Sequence, residues 1–176
     1  GYLFPATYTL YDGVTAHELI DKMLQRFEIE YNNSIKDALT SDFTLDEIVT
    51  MASIIEAEIQ VPEERARAAG VIRNRLKQNM KLQMDATVLY AQNSTKERVM
   101  ESDLEYDSPY NTYQVDGLPV GPISNPGAAA LEAAIHPEDN NYIYYVVEAY
   151  GKSNHIFTET YEEFLQAKEN YFASRE

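Results

Sequence analysis

The stretch TLDEIVTMASIIEAEIQ, residues 44–60, contains the pattern that decides the fold of this chain. Thr44 and Glu47 form a capping box, in which the two side chains accept hydrogen bonds from backbone N–H groups that the start of a helix leaves unpaired. The apolar residues that follow recur at helical spacing: Leu45, Ile48, Val49, Ala52, Ile55 and Ile59. The stretch is therefore predicted to be an amphipathic helix with one face in a core.

Glu56 interrupts the apolar face of this predicted helix. On a helical projection it lies inside the apolar arc, whereas Glu58 lies on the opposite side and is predicted to be solvated. Because ionising a carboxylate among apolar groups is costly, Glu56 is expected to hold its proton, pair with a cation or line a cleft. A glutamic acid that is protonated at neutral pH is a general acid. The alternative is a structural ion pair with an arginine of the following helix, namely Arg65, Arg67, Arg73 or Arg75.

Capping residues and apolar periodicity predict further helices on both sides of this stretch. Their ranges are 15–35, 62–78, a short helix capped by Asp85, 125–135 and 160–171. Residues 142–150 and 155–158 are rich in β-branched and aromatic side chains and flank a turn, which predicts a β-hairpin. Residues 1–11 are predicted to be an extended entry strand or arm. The predicted fold class is α+β, with helices packed against a small antiparallel sheet or hairpin.

A long segment between the predicted helices, residues 93–127, is rich in proline, glycine and asparagine, which disfavours regular structure. A loop of this length within a compact domain tends to be functional or disordered. This one carries aromatic and apolar anchors, namely Tyr110, Tyr113, Leu118 and Ile123. It is therefore predicted to be an ordered loop that lines a cleft.

The composition excludes several classes of function. The 14 basic and 29 acidic residues give a net charge of −15, which disfavours nucleic-acid partners through repulsion. The absence of cysteine removes disulfides, thiol nucleophiles and thiolate zinc sites. His17, His136 and His155 lack the compact spacing of metal ligands, and no glycine motif for binding phosphate occurs. Neither a metal nor a cofactor is expected.

Several blocks of this sequence, in this order, resemble the YceG-like family. They are ASIIEAE (52–58), EER (63–65), NRL (74–76), MKLQMDATVLY (80–90), DSPYNTY (107–113), GLPVGPISNPG (117–127) and HP (136–137). The resemblance implies a bacterial endolytic peptidoglycan lytic transglycosylase, an enzyme that cuts the β-1,4 bond between N-acetylmuramic acid and N-acetylglucosamine within a glycan strand. Such an enzyme adds no water and leaves a 1,6-anhydro end.

The resemblance also implies an organisation and a location. Residues 1–176 are expected to be one catalytic domain, with an N-terminal arm and helical part at 1–43 and a catalytic core at 44–176. A membrane helix and a LysM-like region are expected outside this sequence. The implied location is the bacterial cell membrane, with the catalytic domain extracytoplasmic. The implied partners are the glycan strands of peptidoglycan and cell-wall synthases.

The matching blocks carry the family's site residues over to this chain. The resemblance implies that Glu56 is the catalytic residue, first as acid and then as base. By the same resemblance, the residues expected to bind substrate or organise the cleft are Asn74, Gln83, Asp85, Ser108, Tyr110, Asn111 and Thr112. The alternative function is a noncatalytic peptidoglycan-binding or scaffold module of the cell-wall synthesis machinery, in which Glu56 is one half of a buried ion pair.

Overall fold

The computed structural model describes residues 1–39, 43–96 and 98–175 of the chain. The predicted α+β class is confirmed, because the described residues form six α-helices and one two-stranded antiparallel sheet. The α-helices are α1 (Ala16–Glu30), α2 (Leu45–Glu58), α3 (Arg65–Lys77), α4 (Asp85–Ala91), α5 (Ala128–Ile135) and α6 (Tyr161–Ala173), and the strands are β1 (Tyr144–Val147) and β2 (His155–Thr158). A π-helical turn (Tyr31–Ile35) extends α1, and short 3-10 helices cover Pro62–Glu64 and Glu101–Asp103.

Helix α2 lies at the centre of the fold and packs against α3, α4 and α5. It begins with the predicted capping box of Thr44 and Glu47. Every residue from Ile48 to Ile55 is buried, so α2 is covered on all sides rather than along one face. A helix that is apolar around its whole circumference belongs in the interior of a domain, and here it forms the axis of the core.

The N-terminal arm contributes to the same core as α2. Phe4, Phe27 and Ile35 are buried in one apolar cluster with the side chains of α2 and α5. The arm is extended but pairs with no strand within the described residues, and the Leu3 N–H donates to the Asn125 side chain at 3.1 Å. Helix α5 has Gly127 as its N-cap, so the predicted start of α5 at Asn125-Pro126 is wrong.

The hairpin and α6 form a small layer beside the helices. Residues pair from Tyr144 with Thr158 to Val147 with His155, which confirms the predicted hairpin. The ring of Tyr144 stacks on that of Phe164 in α6 at 5.3 Å between centroids, so α6 covers one side of the sheet. Helix α6 begins with the predicted capping box of Thr160 and Glu163.

The long segment after α4 is held by buried polar side chains rather than by strand pairing. Asn111 is fully buried, and its amide donates to the carbonyl oxygens of Leu104 and Tyr106 at 3.0 and 2.8 Å. The Met84 N–H donates to the Thr112 hydroxyl at 2.9 Å, which ties the segment to the start of α4. Within the described ranges, no helix has the length and apolarity needed to cross a membrane.

Candidate active site

A cleft of about 520 Å³ lies between the C-terminal end of α2, the start of α4, the sheet and α6. Its floor and walls combine carboxylates, aromatic rings and an arginine. The chemically active residues among those that line it are Glu58, Arg75, Gln83, Asp85, Tyr113, Tyr145 and His155. The cleft therefore gathers residues from α2, α3, the long loop and both strands at one place.

Glu58, the last residue of α2, is partly buried at this cleft. Its Oε1 accepts the Ala86 N–H at 2.7 Å, and the Tyr145 hydroxyl lies 3.5 Å from its Oε2. Burial raises the pKa of Glu58 to about 7, and the charge of Asp85 adds to this rise, although the hydrogen bonds from Ala86 and Tyr145 oppose it. A carboxyl group with this pKa can both donate and accept a proton near neutrality.

Asp85 lies next to Glu58 and is held by the long loop. The Tyr113 hydroxyl donates to Asp85 Oδ1 at 2.7 Å. Burial and the adjacent Asp85 raise the pKa of Tyr113 well above its ordinary value, so the tyrosine remains a hydrogen-bond donor. The prediction that Asp85 caps α4 is wrong, because Met84 occupies the N-cap position. The carboxylate of Glu58 instead accepts the N–H of Ala86, which lies in the first turn of α4 and has no partner within the helix.

Arg75 forms a buried support beneath the cleft. Its Nε donates to the Ile143 carbonyl at 2.7 Å, and its Nη1 donates to the Leu82 carbonyl at 2.8 Å. The guanidinium also lies over the ring of Tyr144, at 5.3 Å. Arg75 thus fixes the strand and the segment before α4 relative to α3. Its hydrogen bonds go mainly to backbone carbonyls, and no salt bridge joins it to Glu58 within the described residues.

Glu56 does not line this cleft. The Arg65 guanidinium donates to both of its carboxylate oxygens, at 2.9 and 3.3 Å, and the Gly127 N–H donates to Oε2 at 3.0 Å. The Glu56 side chain is 30% exposed and that of Arg65 is 13% exposed. The ion pair that the sequence left open as an alternative is therefore present, and Arg65 is the partner.

The predicted solvation of Glu58 is wrong, for one physical reason, whereas Glu56 pairs with a cation, which is one of the three outcomes expected for it. The helical projection assumed that the side of α2 opposite the apolar arc faces water. In the fold, the start of α4 and the residue Tyr145 cover that side at Glu58, while Glu56 reaches a cation and a backbone N–H. Glu58, and not Glu56, is therefore the glutamate that lines the cleft.

The other predicted site residues fall into two groups. Gln83 and Asp85 line the cleft. Gln83 has a φ of 53°, in the left-handed region, and such backbone strain in a residue other than glycine is concentrated at functional sites. The strained backbone is held in place by the Gln83 N–H, which donates to the Thr112 carbonyl at 3.1 Å.

The remaining residues lie outside the lining of the cleft and organise its surroundings. The Asn74 amide donates to the carbonyls of Asn140 and Tyr142, at 2.8 and 3.0 Å. Asn111 and Thr112 are fully buried, so they shape the loop and cannot contact a ligand in this conformation. The Ser108 hydroxyl accepts the Tyr110 N–H, and the Tyr110 ring packs on Tyr90 at 4.8 Å between centroids.

Sequence reasoning missed the cleft residues Glu58, Tyr113 and Tyr145 as members of one site. Tyr113 is predicted, with Tyr110, to be a site residue of the long loop, but nothing in the sequence pairs it with Glu58, and Tyr145 reads as an ordinary strand residue. The one local signal was the second glutamate of the ASIIEAE block, two positions after the first. No periodicity argument brings β1 over the end of α2, because that contact joins residues 87 positions apart in the chain.

The fold and its cleft define the class of protein: a helical α+β domain with a protonable glutamate in a groove lined by tyrosines. The YceG-like family model matches residues 1–170. The chain is 43% identical to the endolytic murein transglycosylase of Bacillus subtilis, over 99% of this chain and 48% of that protein. It is 35% identical to the endolytic murein transglycosylase of Streptococcus pneumoniae, over 84% of this chain and 28% of that protein.

The fold agrees with these sequence relationships. The crystal structure of a yceG-like protein from Listeria monocytogenes superposes with a TM-score of 0.88 at 41% identity, over 94% of this chain and 54% of that one. This chain belongs to the YceG-like family, as its sequence blocks indicated. It spans about half or less of the length of these relatives.

Proposed function

We propose that this chain is the catalytic domain of an endolytic peptidoglycan lytic transglycosylase, with Glu58 as its acid and base. The observation that carries the proposal is the position of Glu58 in the cleft, with a pKa raised to about 7. The relatives that carry the name endolytic murein transglycosylase support the substrate class. In this proposal, the role that the sequence analysis gave to Glu56 moves to Glu58, because Glu56 is held by Arg65 and Gly127 outside the cleft.

The reaction needs one group that gives and then takes a proton. Protonated Glu58 donates its proton to the glycosidic oxygen as the bond from that oxygen to the anomeric carbon of N-acetylmuramic acid breaks. The ionised carboxylate then accepts the proton of the sugar's own primary hydroxyl, whose oxygen bonds to the same carbon. No water is consumed, and Glu58 regains its proton. The intramolecular attack has an entropic advantage over attack by free water.

The neighbours of Glu58 suit this role. Hydrolytic glycosidases usually use a second carboxylate as a nucleophile or to activate water. Asp85 is the other carboxylate at this end of the cleft, and its Oδ1 accepts the Tyr113 hydroxyl. Its negative charge raises the pKa of Glu58 and so favours the protonated form. The aromatic rings of Tyr144 and Tyr145 offer faces on which a sugar ring can pack.

The test compares two matched variants of the full-length protein, Glu58→Gln and Glu56→Gln, on uncrosslinked glycan strands. Mass spectrometry measures the rate of strand cleavage and the chemistry of the new ends. We expect wild type to produce 1,6-anhydro ends, and Glu58→Gln to be slower by roughly 10²- to 10⁴-fold, the usual contribution of general acid–base catalysis. Glu56→Gln is expected to be less stable, because Arg65 loses its partner, but to keep its rate per folded molecule.

Three outcomes would contradict parts of the proposal. Reducing ends without the anhydro form would mean hydrolysis. Loss of cleavage in folded Glu56→Gln, with activity retained in Glu58→Gln, would return the catalytic role to Glu56. Wild-type binding to glycan strands with no cleavage would favour the scaffold module, whose expected ion pair at Glu56 is present.

The location and the partners of the parent protein are proposed from the family resemblance. We propose that the parent protein is held in the bacterial cell membrane by an N-terminal helix outside this sequence, with this domain extracytoplasmic. Its partners would be the glycan strands of peptidoglycan and the synthases that make them. No nucleic-acid partner is proposed for a chain with a net charge of −15.

A further inference from the structure

A second cavity adjoins the cleft at the pair formed by Asp85 and Tyr113. This cavity, of about 510 Å³, shares Asp85, Leu104, Tyr113 and Lys168 with the cleft and extends toward residues 98–102 of the long loop. The two cavities therefore adjoin at these four residues, and they are called below the first arm (the cleft) and the second arm of the site. Glu58 lines the first arm and not the second, so the second arm contacts parts of a ligand that lie away from the proton transfer.

The second arm is lined differently from the first. Arg98 and Lys168 bring two cations to it, and both side chains are exposed. Neither makes a salt bridge or a side-chain hydrogen bond within the described residues, whereas Lys96 nearby is paired with Asp103 at 3.0 Å. Arg98 and Lys168 are two of the 14 basic residues of a chain with 29 acidic ones, and they line the same cavity.

Apolar and acidic residues complete this arm. Met100 is 53% exposed and Phe172 is 42% exposed, and both line the cavity beside the cations. Exposed apolar side chains grouped at a groove indicate a surface that binds a ligand. The acidic residues that line the arm are Asp85 and Glu101, and Asp85 already accepts the Tyr113 hydroxyl. The arm thus combines apolar surface with two cations suited to an anionic group.

We propose that this arm binds a carboxylate that the glycan strand carries, either on the peptide stem or on the lactyl group of N-acetylmuramic acid. The proposal rests on the proposed function, because it names a further part of the same substrate. Arg98 and Lys168 contact the carboxylate, and Met100 and Phe172 contact the alkyl parts of the peptide. Binding there would orient the N-acetylmuramic acid ring in the first arm, where Glu58 lies.

The test measures binding rather than cleavage, with the disaccharide N-acetylglucosaminyl-N-acetylmuramic acid, which lacks the bond that the enzyme cuts. Three ligands are titrated into the full-length protein by calorimetry: the disaccharide with a pentapeptide, the same molecule with its peptide carboxylates amidated, and the disaccharide with a free lactyl carboxylate. Two variants are compared with wild type: a double variant with Arg98→Gln and Lys168→Gln, and the single variant Lys152→Gln. The last is a control that removes one exposed positive charge at the hairpin turn, outside both arms.

We expect wild type to bind the ligand with the free peptide carboxylates about three- to tenfold more tightly than the amidated one, as for exposed ion pairs. The double variant is expected to lose this preference, and Lys152→Gln to keep it. Raising the salt concentration is expected to weaken the preference. The gain in affinity that depends on Arg98 and Lys168 could also occur only for the ligand with the free lactyl carboxylate. In that case, the source of the carboxylate is the lactyl group.

Equal affinity of wild type for all three ligands would overturn this proposal, as would an equal loss in Lys152→Gln. This failure is distinct from failure of the proposed function. Cleavage of glycan strands without any preference for carboxylates would contradict the proposed role of the second arm but support the proposed activity. Charge-dependent binding without cleavage would support the proposed role of the second arm and contradict the proposed activity.

Discussion

Two glutamates in one helix, separated by a single residue, have opposite surroundings. The Glu56 side chain accepts hydrogen bonds from Arg65 and from the Gly127 N–H. Glu58 is enclosed by α4 and Tyr145 and lies near Asp85, so its neutral form is favoured. The difference comes from what packs over each side chain and not from the helix itself. At the scale of the residue, tertiary contacts decide the surroundings of each glutamate and raise the pKa of Glu58.

The raised pKa of Glu58 predicts a dependence of stability on pH. Its pKa is about 7 in the folded protein against an ordinary value of 4.5, so between these values the folded state keeps a proton that the unfolded state has lost. The contribution of this group to the free energy of unfolding therefore decreases as pH rises from 4.5 to 7 and is constant above that range. The loss is at most about 3 kcal/mol.

Urea unfolding of wild type and Glu58→Gln at pH 5 and pH 8 measures this contribution. Glutamine keeps an acceptor for the Ala86 N–H but cannot ionise, so the variant is expected to gain stability relative to wild type at the higher pH. The difference between the two proteins should shrink at the lower pH. The same difference at both values would show that Glu58 does not titrate in this range.

At the scale of the element, a glycine within helix α3 is explained by a tertiary contact. Gly70 lies in the middle of α3, where glycine weakens a helix by about 1 kcal/mol relative to alanine. A Cβ at this position would lie 2.6 Å from the Glu138 carbonyl oxygen and 2.5 Å from the Asn140 amide nitrogen. The glycine allows the segment before β1 to approach α3, where the Glu138 N–H donates to the Ala66 carbonyl at 2.8 Å.

This close approach predicts that Gly70→Ala destabilises the protein although it improves the helix. The backbone oxygen of Glu138 cannot move away as easily as a side chain, so we expect a loss of about 1–3 kcal/mol in the free energy of unfolding. Gly121→Ala is the matched control, because its Cβ would meet nothing closer than 3.6 Å. Chemical denaturation measures both. A more stable Gly70→Ala would show that helix propensity dominates at this site.

At the scale of the whole molecule, the N-terminal arm and the helices share one core. Phe27 of α1 is 6% exposed, and its ring contacts that of Tyr2 edge to face at 4.9 Å. Phe27 belongs to the apolar cluster that contains side chains of α2 and α5, and Tyr2 packs against this cluster. Because the arm and α1 are stabilised by the same apolar contacts as α2, the described residues should unfold together.

Phe27→Ala tests this shared core. We expect it to lower the free energy of unfolding by about 3–5 kcal/mol, as for other buried phenylalanines, and to leave a single transition. Circular dichroism and tyrosine fluorescence should report the same midpoint, because the helices and the tyrosines unfold at once. Two separate transitions, or a variant that loses only the signal of α1, would show that residues 1–39 are an independent unit.

The sequence by itself determined the elements and the family. Capping boxes at Thr15, Thr44 and Thr160 set the starts of α1, α2 and α6, because a cap depends only on residues three positions apart. The alternation of β-branched and aromatic residues was enough to predict the hairpin. Both signals are local, although the predicted caps of α4 at Asp85 and of α5 at Asn125 show that a local signal is not always sufficient.

Only the tertiary structure decided which glutamate lies in the cleft and which residues surround it. Asp85 and Tyr113 are 28 positions apart, and Glu58 and Tyr145 are 87 apart, so their contacts depend on how the loop and the sheet pack over α2. A helical projection treats everything outside the helix as solvent, and that assumption fails for a helix buried on all sides. The pKa of Glu58 follows from this packing, because desolvation depends on neighbours that local periodicity does not contain.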